Sequence, residues 1–130
     1  MVDSVSSCLL LQFAREPLVG AVKTRMMPHL SAAEACDLHC KLVLWTTTTL
    51  LEAGLGRVEL VVAGAAEHPL FVGCRHQGVA EIGRQRGDDL GERMYHALAE
   101  GLLNYERVIL VGSDCPGIDQ RIYGTSLQDF

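Results

Sequence analysis

The chain alternates between short apolar runs and longer segments in which apolar side chains recur at helical spacing. Short apolar runs bounded by turn residues are typical of β-strands. They predict strands at residues 7–14, Val58–Ala63, Val79–Ile82 and Val108–Gly112. The fourth run is aliphatic without interruption, which is typical of a central parallel strand buried on both faces.

The first predicted helix has clear start and stop signals. Ser31 and Glu34 have the spacing of a capping box, in which each side chain accepts a hydrogen bond from the backbone N–H of the other residue. The helix runs from about Ala32 to Ala53, and Gly54 is its stop signal. The run Thr46–Thr49 is its weakest part, because β-branched residues lose side-chain entropy in a helix.

Two further helices are predicted, and one segment is left without assignment. Asp89 and Glu92 repeat the capping-box spacing before a helix that contains Met94. Residues 64–78 show no decisive period. Asp119 is interpreted as the cap of a last helix, which carries Ile122, Ser126, Leu127 and Phe130.

The alternation of strands and helices predicts a three-layer, Rossmann-like α/β fold with a mostly parallel sheet. In such sheets, ligands bind outside the carboxyl ends of the strands. The segments at those ends are Arg15–Arg25, the region after Ala63, Gln85–Arg93 and Ser113–Pro116. The functional site is therefore expected where these four segments meet.

Length and composition limit the possible classes of protein. The chain of 130 residues fits one domain, residues 1–130, and its 48% apolar and 21% charged residues exclude a disordered chain. No run approaches the roughly 18 apolar residues of a membrane helix. Gln12 and Arg15 interrupt the first apolar run, so a signal peptide is not predicted. Five cysteines without zinc-ribbon spacing favour a reduced, cytoplasmic setting.

Arg15, Lys23 and Arg25 place three cations behind the first strand of a chain whose net charge is -5. With Gly20 allowing close backbone approach, this local cluster indicates a site for a small, highly charged anion such as a nucleotide pyrophosphate. Nucleic acid would require a broad basic face instead. A P-loop is excluded because Val22 stands where that motif needs glycine. Three solvated surface charges are the alternative interpretation.

The segment 113–116, Ser-Asp-Cys-Pro, follows the strongest predicted strand. The carboxylate of Asp114 is a candidate ligand for a divalent cation that bridges phosphate oxygens. The alternative is a strand-to-helix turn capped by Ser113 or Asp114, with Pro116 in the first turn, and the two interpretations are compatible. Cys115 is not favoured as a nucleophile, because no partner base stands at a recognisable spacing.

The segment Gln85–Met94 is the third candidate. Capping by Asp89 and Glu92 explains its acidic residues structurally. A helix N-terminus is also a site for an anion or a ribose, and Arg93 lies one turn into that helix. Both interpretations stay open for this segment.

With these three segments in place, the chain resembles a bacterial family of uncharacterised proteins, domain of unknown function 2064, with a glycosyltransferase-A-like, nucleotide-diphosphosugar-transferase fold. The motifs that carry the resemblance are Phe13–Pro17, Gly20, Lys23–Met26, Gln85, Gly87, Asp89–Met94 and Gly112–Pro116. Related proteins include guanylyltransferases of molybdenum-cofactor and phospholactate metabolism. The resemblance therefore implies nucleotidyl or nucleotide-sugar transfer to an unidentified acceptor.

The resemblance also implies roles for single residues. Arg15, Gly20, Lys23 and Arg25 would bind the nucleotide phosphates, and Lys23 and Asp114 would be catalytic. Asp114 would hold Mg²⁺ or Mn²⁺. Asp89 and Arg93 would line the sugar or acceptor side.

The family pattern continues beyond the last helix predicted here, into another strand and an Asp-Gly-Gly-Tyr segment. The domain is therefore expected to be shortened at its C-terminus. A non-catalytic nucleotide-binding or oligomeric interaction domain is the alternative to a transferase. Because only a helix is predicted after Val108–Gly112, one sheet edge is expected to lack a neighbour, which predicts a homo-dimer.

Overall fold

The computed structural model describes residues 8–20, 29–113 and 122–126, the last for the backbone alone. The elements in chain order are β1 (Cys8–Arg15), α1 (Ala32–Ala53), β2 (Arg57–Ala63), α2 (Pro69–Gln77), β3 (Glu81–Arg84), α3 (Leu90–Leu102), β4 (Arg107–Gly112) and β5 (Ile122–Ser126). None of the helices described is both long enough and apolar enough to cross a membrane.

The described strands form one sheet of five strands in the order β3-β2-β1-β4-β5. β1 lies in the centre and pairs in parallel with β2 and β4, and β2 pairs in parallel with β3. In this register, Leu10 lies opposite Val58 of β2 and Ile109 of β4. β5 is antiparallel to β4. The predicted, mostly parallel sheet is confirmed.

Helices cover both faces of the sheet and make the three layers. On one face, Leu10 and Leu60 of the sheet pack with Val43 of α1 and Phe71 of α2. On the other face, strand residues that include Leu11 and Leu110 pack against α3. The α3 side chains in this cluster are Met94, Ala97, Leu98 and Leu102. Burial of this apolar surface stabilises the fold by roughly 25 cal/mol per Å² removed from water.

Helix α1 follows the sequence prediction from end to end. The capping box is present, with Ser31 N donating to Glu34 Oε1 over 2.9 Å and Glu34 N donating to Ser31 Oγ over 3.1 Å. Gly54 ends the helix in the left-handed conformation, at φ +63°. Two hydroxyls of the threonine run donate to carbonyls one turn earlier, that of Thr48 to Leu44 O over 3.0 Å and that of Thr49 to Trp45 O over 2.9 Å.

Two elements differ from the prediction between β2 and α3. Helix α2 lies in the segment that showed no period, where His68 Nδ1 accepts a hydrogen bond from Leu70 N over 3.1 Å and Pro69 occupies the first turn. β3 begins at Glu81 rather than at Val79, because Val79 packs into the core formed with α1 and α2.

The predicted last helix is wrong over residues 122–126, which form β5. Asp119, Leu127 and Phe130 lie outside the described residues. β5 pairs with β4 from Arg107 to Val111, so β4 has a strand on each side. The argument that led to a homo-dimer, a missing neighbour for β4, is therefore wrong, and the dimer itself stays a prediction.

Candidate functional site

The four parallel strands end at the same edge of the sheet. β1 ends at Arg15, β2 at Ala63, β3 at Arg84 and β4 at Gly112, and the register places these exits side by side. Ligands of open parallel sheets bind outside this edge. All four segments selected from the sequence, those after β1, β2, β3 and β4, begin here.

The exits of β1 and β2 are joined by Glu16. Its backbone N–H donates to Ala63 O over 2.8 Å, and its Oε1 accepts a hydrogen bond from Ala65 N over 2.8 Å. Gly64 lies between these contacts at φ +109°, and a Cβ there would lie 2.6 Å from Glu16 Cβ and Oε1. Glycine is therefore required by the backbone conformation and by the space that Glu16 occupies.

Arg15 is exposed at the surface, while its backbone carbonyl is held by a hydrogen bond from helix α1. His39, 1% exposed in α1, lies with Nε2 2.9 Å from Arg15 O. A carbonyl oxygen only accepts, so Nε2 carries the proton and donates. The residue itself is exposed, as is Gly20 at φ +88°. Lys23 and Arg25, the other predicted phosphate-binding residues, lie outside the described residues.

The junction between β3 and α3 is also fixed by side-chain contacts with backbone oxygens. Gln85 Nε2 donates to Val61 O over 3.1 Å and to Ala14 O over 3.4 Å. Arg93 Nε donates to Gly87 O over 3.0 Å. These contacts hold the start of α3 against the carboxyl edge and bring Arg93 there, as the sequence predicts.

Asp89 is the N-cap of α3. Its Oδ1 accepts a hydrogen bond from Glu92 N over 2.8 Å, while Glu92 Oε1 accepts from Asp88 N over 2.8 Å. The reciprocal contact of the predicted capping box is therefore displaced by one residue, from Asp89 to Asp88. Asp89 is exposed, and one of its carboxylate oxygens is engaged with its own helix.

A depression of about 450 Å³ lies at the exits of β2 and β3. Gly64, Gln85, Arg84 and Arg93 are among the residues that line it. Sequence reasoning missed Arg84, whose Nη2 lies 3.4 Å from Glu67 Oε2 at the surface. Two guanidinium groups at one depression offer planar, multidentate recognition of phosphate or carboxylate.

The exit of β4 is held by a buried polar network that sequence reasoning also missed. Ser113 is 2% exposed, and its hydroxyl donates to Phe13 O over 2.8 Å. The same hydroxyl accepts a hydrogen bond from Gln12 Nε2 over 2.9 Å. A polar residue inside the apolar run of β1 was the signal that could have revealed it. Asp114, the predicted metal ligand, lies outside the described residues.

Burial keeps two of the described thiols protonated. Burial raises the pKa of Cys40, and the neighbouring Cys36 adds to the effect. Burial likewise raises the pKa of Cys74, against a smaller opposing effect of the hydrogen bond with Thr47. Protonated thiols are poor nucleophiles and poor metal ligands, and Cys74 instead packs as a small apolar residue in the core.

The chain is similar to known proteins in sequence and in fold. The family model described as "Uncharacterized protein conserved in bacteria (DUF2064)" matches residues 46–130. A solved structure named "putative nucleotide-diphospho-sugar transferase", from Desulfovibrio desulfuricans G20, superimposes with a TM-score of 0.78 at 24% sequence identity. The match covers 96% of this chain and 65% of the solved chain. No curated protein matches the sequence. The likeness confirms the predicted nucleotide-diphosphosugar-transferase-like fold.

Proposed function

The chain belongs to the DUF2064 family of uncharacterized proteins conserved in bacteria, and from this premise we propose that it is a metal-dependent transferase. It binds a nucleoside triphosphate or a nucleotide-sugar outside the carboxyl edge of the sheet. It transfers the nucleotidyl or glycosyl group to an unidentified acceptor. The solved structure with the same fold, whose name includes nucleotide-diphospho-sugar transferase, supports this choice of substrate class.

One observation carries the proposal: cationic side chains border the edge at which the parallel strands end. Arg15 lies at the exit of β1, and Arg84 and Arg93 line the depression at the exits of β2 and β3. The chain as a whole is acidic, at net charge -5. A local concentration of guanidinium groups in an acidic protein favours a compact anion over nucleic acid.

Each predicted residue has a defined role in this proposal. Arg15 with Lys23 and Arg25 binds the phosphates of the nucleotide, and the small Gly20 permits close approach of the backbone. Lys23 also stabilises negative charge as the leaving diphosphate forms. His39 keeps Arg15 in place through its backbone oxygen.

Asp114 is the proposed ligand of Mg²⁺ or Mn²⁺. Among the described residues, no group of three or more His, Cys, Asp or Glu side chains could hold a metal ion. One carboxylate completed by substrate phosphates and water is a donor set that Mg²⁺ accepts. The cation would neutralise charge on the phosphate oxygens when bound. In the sequence, Asp114 comes directly after Ser113, the first residue beyond β4.

Asp89 and Arg93 are placed on the sugar or acceptor side. The start of α3 at the exit of β3 and the engagement of Arg93 with Gly87 O support this placement. The proposed compartment is the cytoplasm. The free state of the four described cysteines supports it: Cys8, Cys36, Cys40 and Cys74.

A thermal-shift screen tests the proposal. Nucleoside triphosphates and nucleotide-sugars are each added to the protein with and without Mn²⁺. A ligand that binds only the folded state at 100 times its Kd stabilises it by about 2.7 kcal/mol. We expect at least one nucleotide to raise Tm in a Mn²⁺-dependent way. Binding without turnover of any donor would favour the non-catalytic nucleotide-binding domain instead, and no shift with any nucleotide would contradict both.

Substitution of the loop cations tests the proposed phosphate contacts. We expect Lys23→Ala and Arg25→Ala to weaken a diphosphate or triphosphate ligand by about 1.5–3 kcal/mol each, because each removes a charge-assisted hydrogen bond. The free nucleoside should bind as before. Lys41→Ala is the control, since Lys41 is an exposed lysine of α1 that pairs with Asp37. Equal losses for nucleoside and nucleotide would argue against phosphate contact.

A further inference from the structure

We propose that Gln12 is a positioning residue. Its side chain holds Ser113 by a hydrogen bond at the exit of β4 and thereby fixes the point from which the segment with Asp114 begins. Gln12 lies in the central strand β1 and is 0% exposed. Its neighbours on the same face of β1 are Leu10 and Ala14, both in the apolar core. An amide in such a place is costly unless its hydrogen bonds are made.

The amide of Gln12 is satisfied by three different partners. Nε2 donates to Ser113 Oγ over 2.9 Å and to Val43 O over 3.1 Å. Oε1 lies 2.8 Å from Thr47 Oγ1, which donates to it. Thr47 is 0% exposed. The side chain thus connects β1 to helix α1 and to the first residue after β4.

Two hydrogen bonds of Ser113 hold the first residue after β4 to the central strand β1. Its hydroxyl accepts from Gln12 Nε2 and donates to Phe13 O over 2.8 Å, so both its proton and an acceptor position are used. Both partners belong to β1. The strand β4 ends at Gly112, and the serine extends the connection to β1 one residue beyond it. The next residue is Asp114.

An apolar residue would have served the core at position 12 at least as well. Burial of an amide adds little net stability even when its hydrogen bonds are made, and buried polar contacts select one arrangement over its alternatives. The arrangement selected here is that of the β4 exit. This inference rests on the proposed function only for the role of Asp114, because the contacts of Gln12 stand independently of it.

Local hydrogen exchange is the first part of the test, and it needs no ligand. Gln12→Met keeps the length and apolar volume of the side chain and removes the amide. Leu10→Val is the matched control, because Leu10 lies on the same face of β1 and its apolar side chain forms no hydrogen bond with Ser113. We expect exchange of a peptide spanning residues 112–116 to be about tenfold faster in Gln12→Met than in Leu10→Val, when the two are compared at equal global stability. Equal exchange in this peptide would overturn the inference.

A second variant makes the test independent of how well Gln12→Met folds. Ser113→Ala removes one oxygen atom at the other end of the same hydrogen bond and should also accelerate exchange in this peptide. The double variant should show no more than the larger single effect, because the two changes break one connection. Fully additive effects would mean that Gln12 does not act through Ser113, and would overturn the inference.

Affinity for Mn²⁺ alone, measured by titration of its paramagnetic signal, is the functional part of the test. We expect Gln12→Met to weaken Mn²⁺ by about tenfold and Leu10→Val to leave it unchanged. Unchanged affinity in Gln12→Met would overturn the positioning role. If the wild-type protein binds no Mn²⁺, the metal role of Asp114 in the proposed function fails, while the exchange measurement still decides whether Gln12 holds the β4 exit.

Discussion

The neighbouring strands β4 and β1 end at the same edge of the sheet, and different kinds of contact stabilise their two exits. At β4, the side chains of Gln12, Thr47 and Ser113 form a network that is at most 2% exposed. At β1, Glu16 is half-buried and reaches the backbone of Ala65. Helix α1 contributes to both, through Thr47 at the first exit and through a histidine at the second.

This difference determines what a substitution costs at each exit. A buried donor or acceptor that loses its partner costs roughly 1–3 kcal/mol, since water does not replace the partner. A half-buried carboxylate contact can be replaced by water, so its loss costs less. Steric fit is a separate effect at the β1 exit, because Glu16 lies against Gly64, the first residue after β2. The two exits should therefore respond differently to polar and to steric changes.

Gly64→Ala should have the largest effect where the exits of β1 and β2 meet. The backbone at Gly64 is at φ +109°, and an added Cβ would lie 2.6 Å from two atoms of Glu16. We expect a loss of roughly 1–3 kcal/mol in the free energy of unfolding. Gly83→Ala is the control, because a Cβ there would meet no atom within 4 Å. Urea unfolding measures both, and equal losses would show that the crowding at Gly64 is not what makes glycine necessary.

Glu16→Ala should have a smaller effect than Gly64→Ala. It removes the acceptor for Ala65 N, and water can take its place at this half-buried site. We expect a loss of about 0.5–1.5 kcal/mol. Glu16→Gln retains an oxygen that accepts the same hydrogen bond and should recover most of the loss. A greater loss for Glu16→Ala than for Ser113→Ala would reverse the comparison between the exits.

The smallest expected effect is a pH dependence that arises from the buried thiol of Cys74. Burial raises the pKa of the Cys74 thiol above its ordinary value, so the unfolded thiol loses its proton first as pH rises. The folded state then holds more protons, and its stability falls with increasing pH. The contribution is complete below about pH 8.5 and is lost as pH rises through the folded pKa.

Urea unfolding of the wild-type protein and Cys74→Ala at pH 7 and above pH 9 measures this contribution. The variant lacks the thiol and should lose less stability over that interval. An identical loss in the two proteins would show that the burial of Cys74 does not contribute to the pH dependence.

Periodic patterns predicted the parts of the fold that local sequence determines. Helix α1 was predicted with both ends, because a capping box and a terminal glycine mark them. Helix α2 was missed because it has nine residues, with Gly73 inside it and a proline at its start. β5 was taken for a helix because the decisive contact, its pairing with β4, comes from elsewhere in the chain.

The same distinction applies to the candidate site. The sequence placed Arg15 and Arg93 at strand exits, and the structure has them there. In the sequence, Gln12 is recognisable only as a polar residue that interrupts an apolar run. Its hydrogen-bond partners could not be predicted, because they lie 31, 35 and 101 residues away. The lack of space for a side chain at Gly64 likewise results from Glu16, which belongs to another strand exit. Contacts between distant segments are not visible in local patterns.

Calorimetric titration of the wild-type protein and Asp114→Asn, with Mn²⁺ and the nucleotide that gives the largest thermal shift, tests the central claim most directly. The amide keeps the shape of the carboxylate and loses the charge that a hard cation requires. Asp88→Asn is the control, an exposed aspartate near the start of α3. The proposed function predicts Mn²⁺-dependent nucleotide binding in the wild-type protein and in the control, and its loss in a folded Asp114→Asn variant. Unchanged Mn²⁺-dependent affinity in that variant would contradict the metal site at the carboxyl edge.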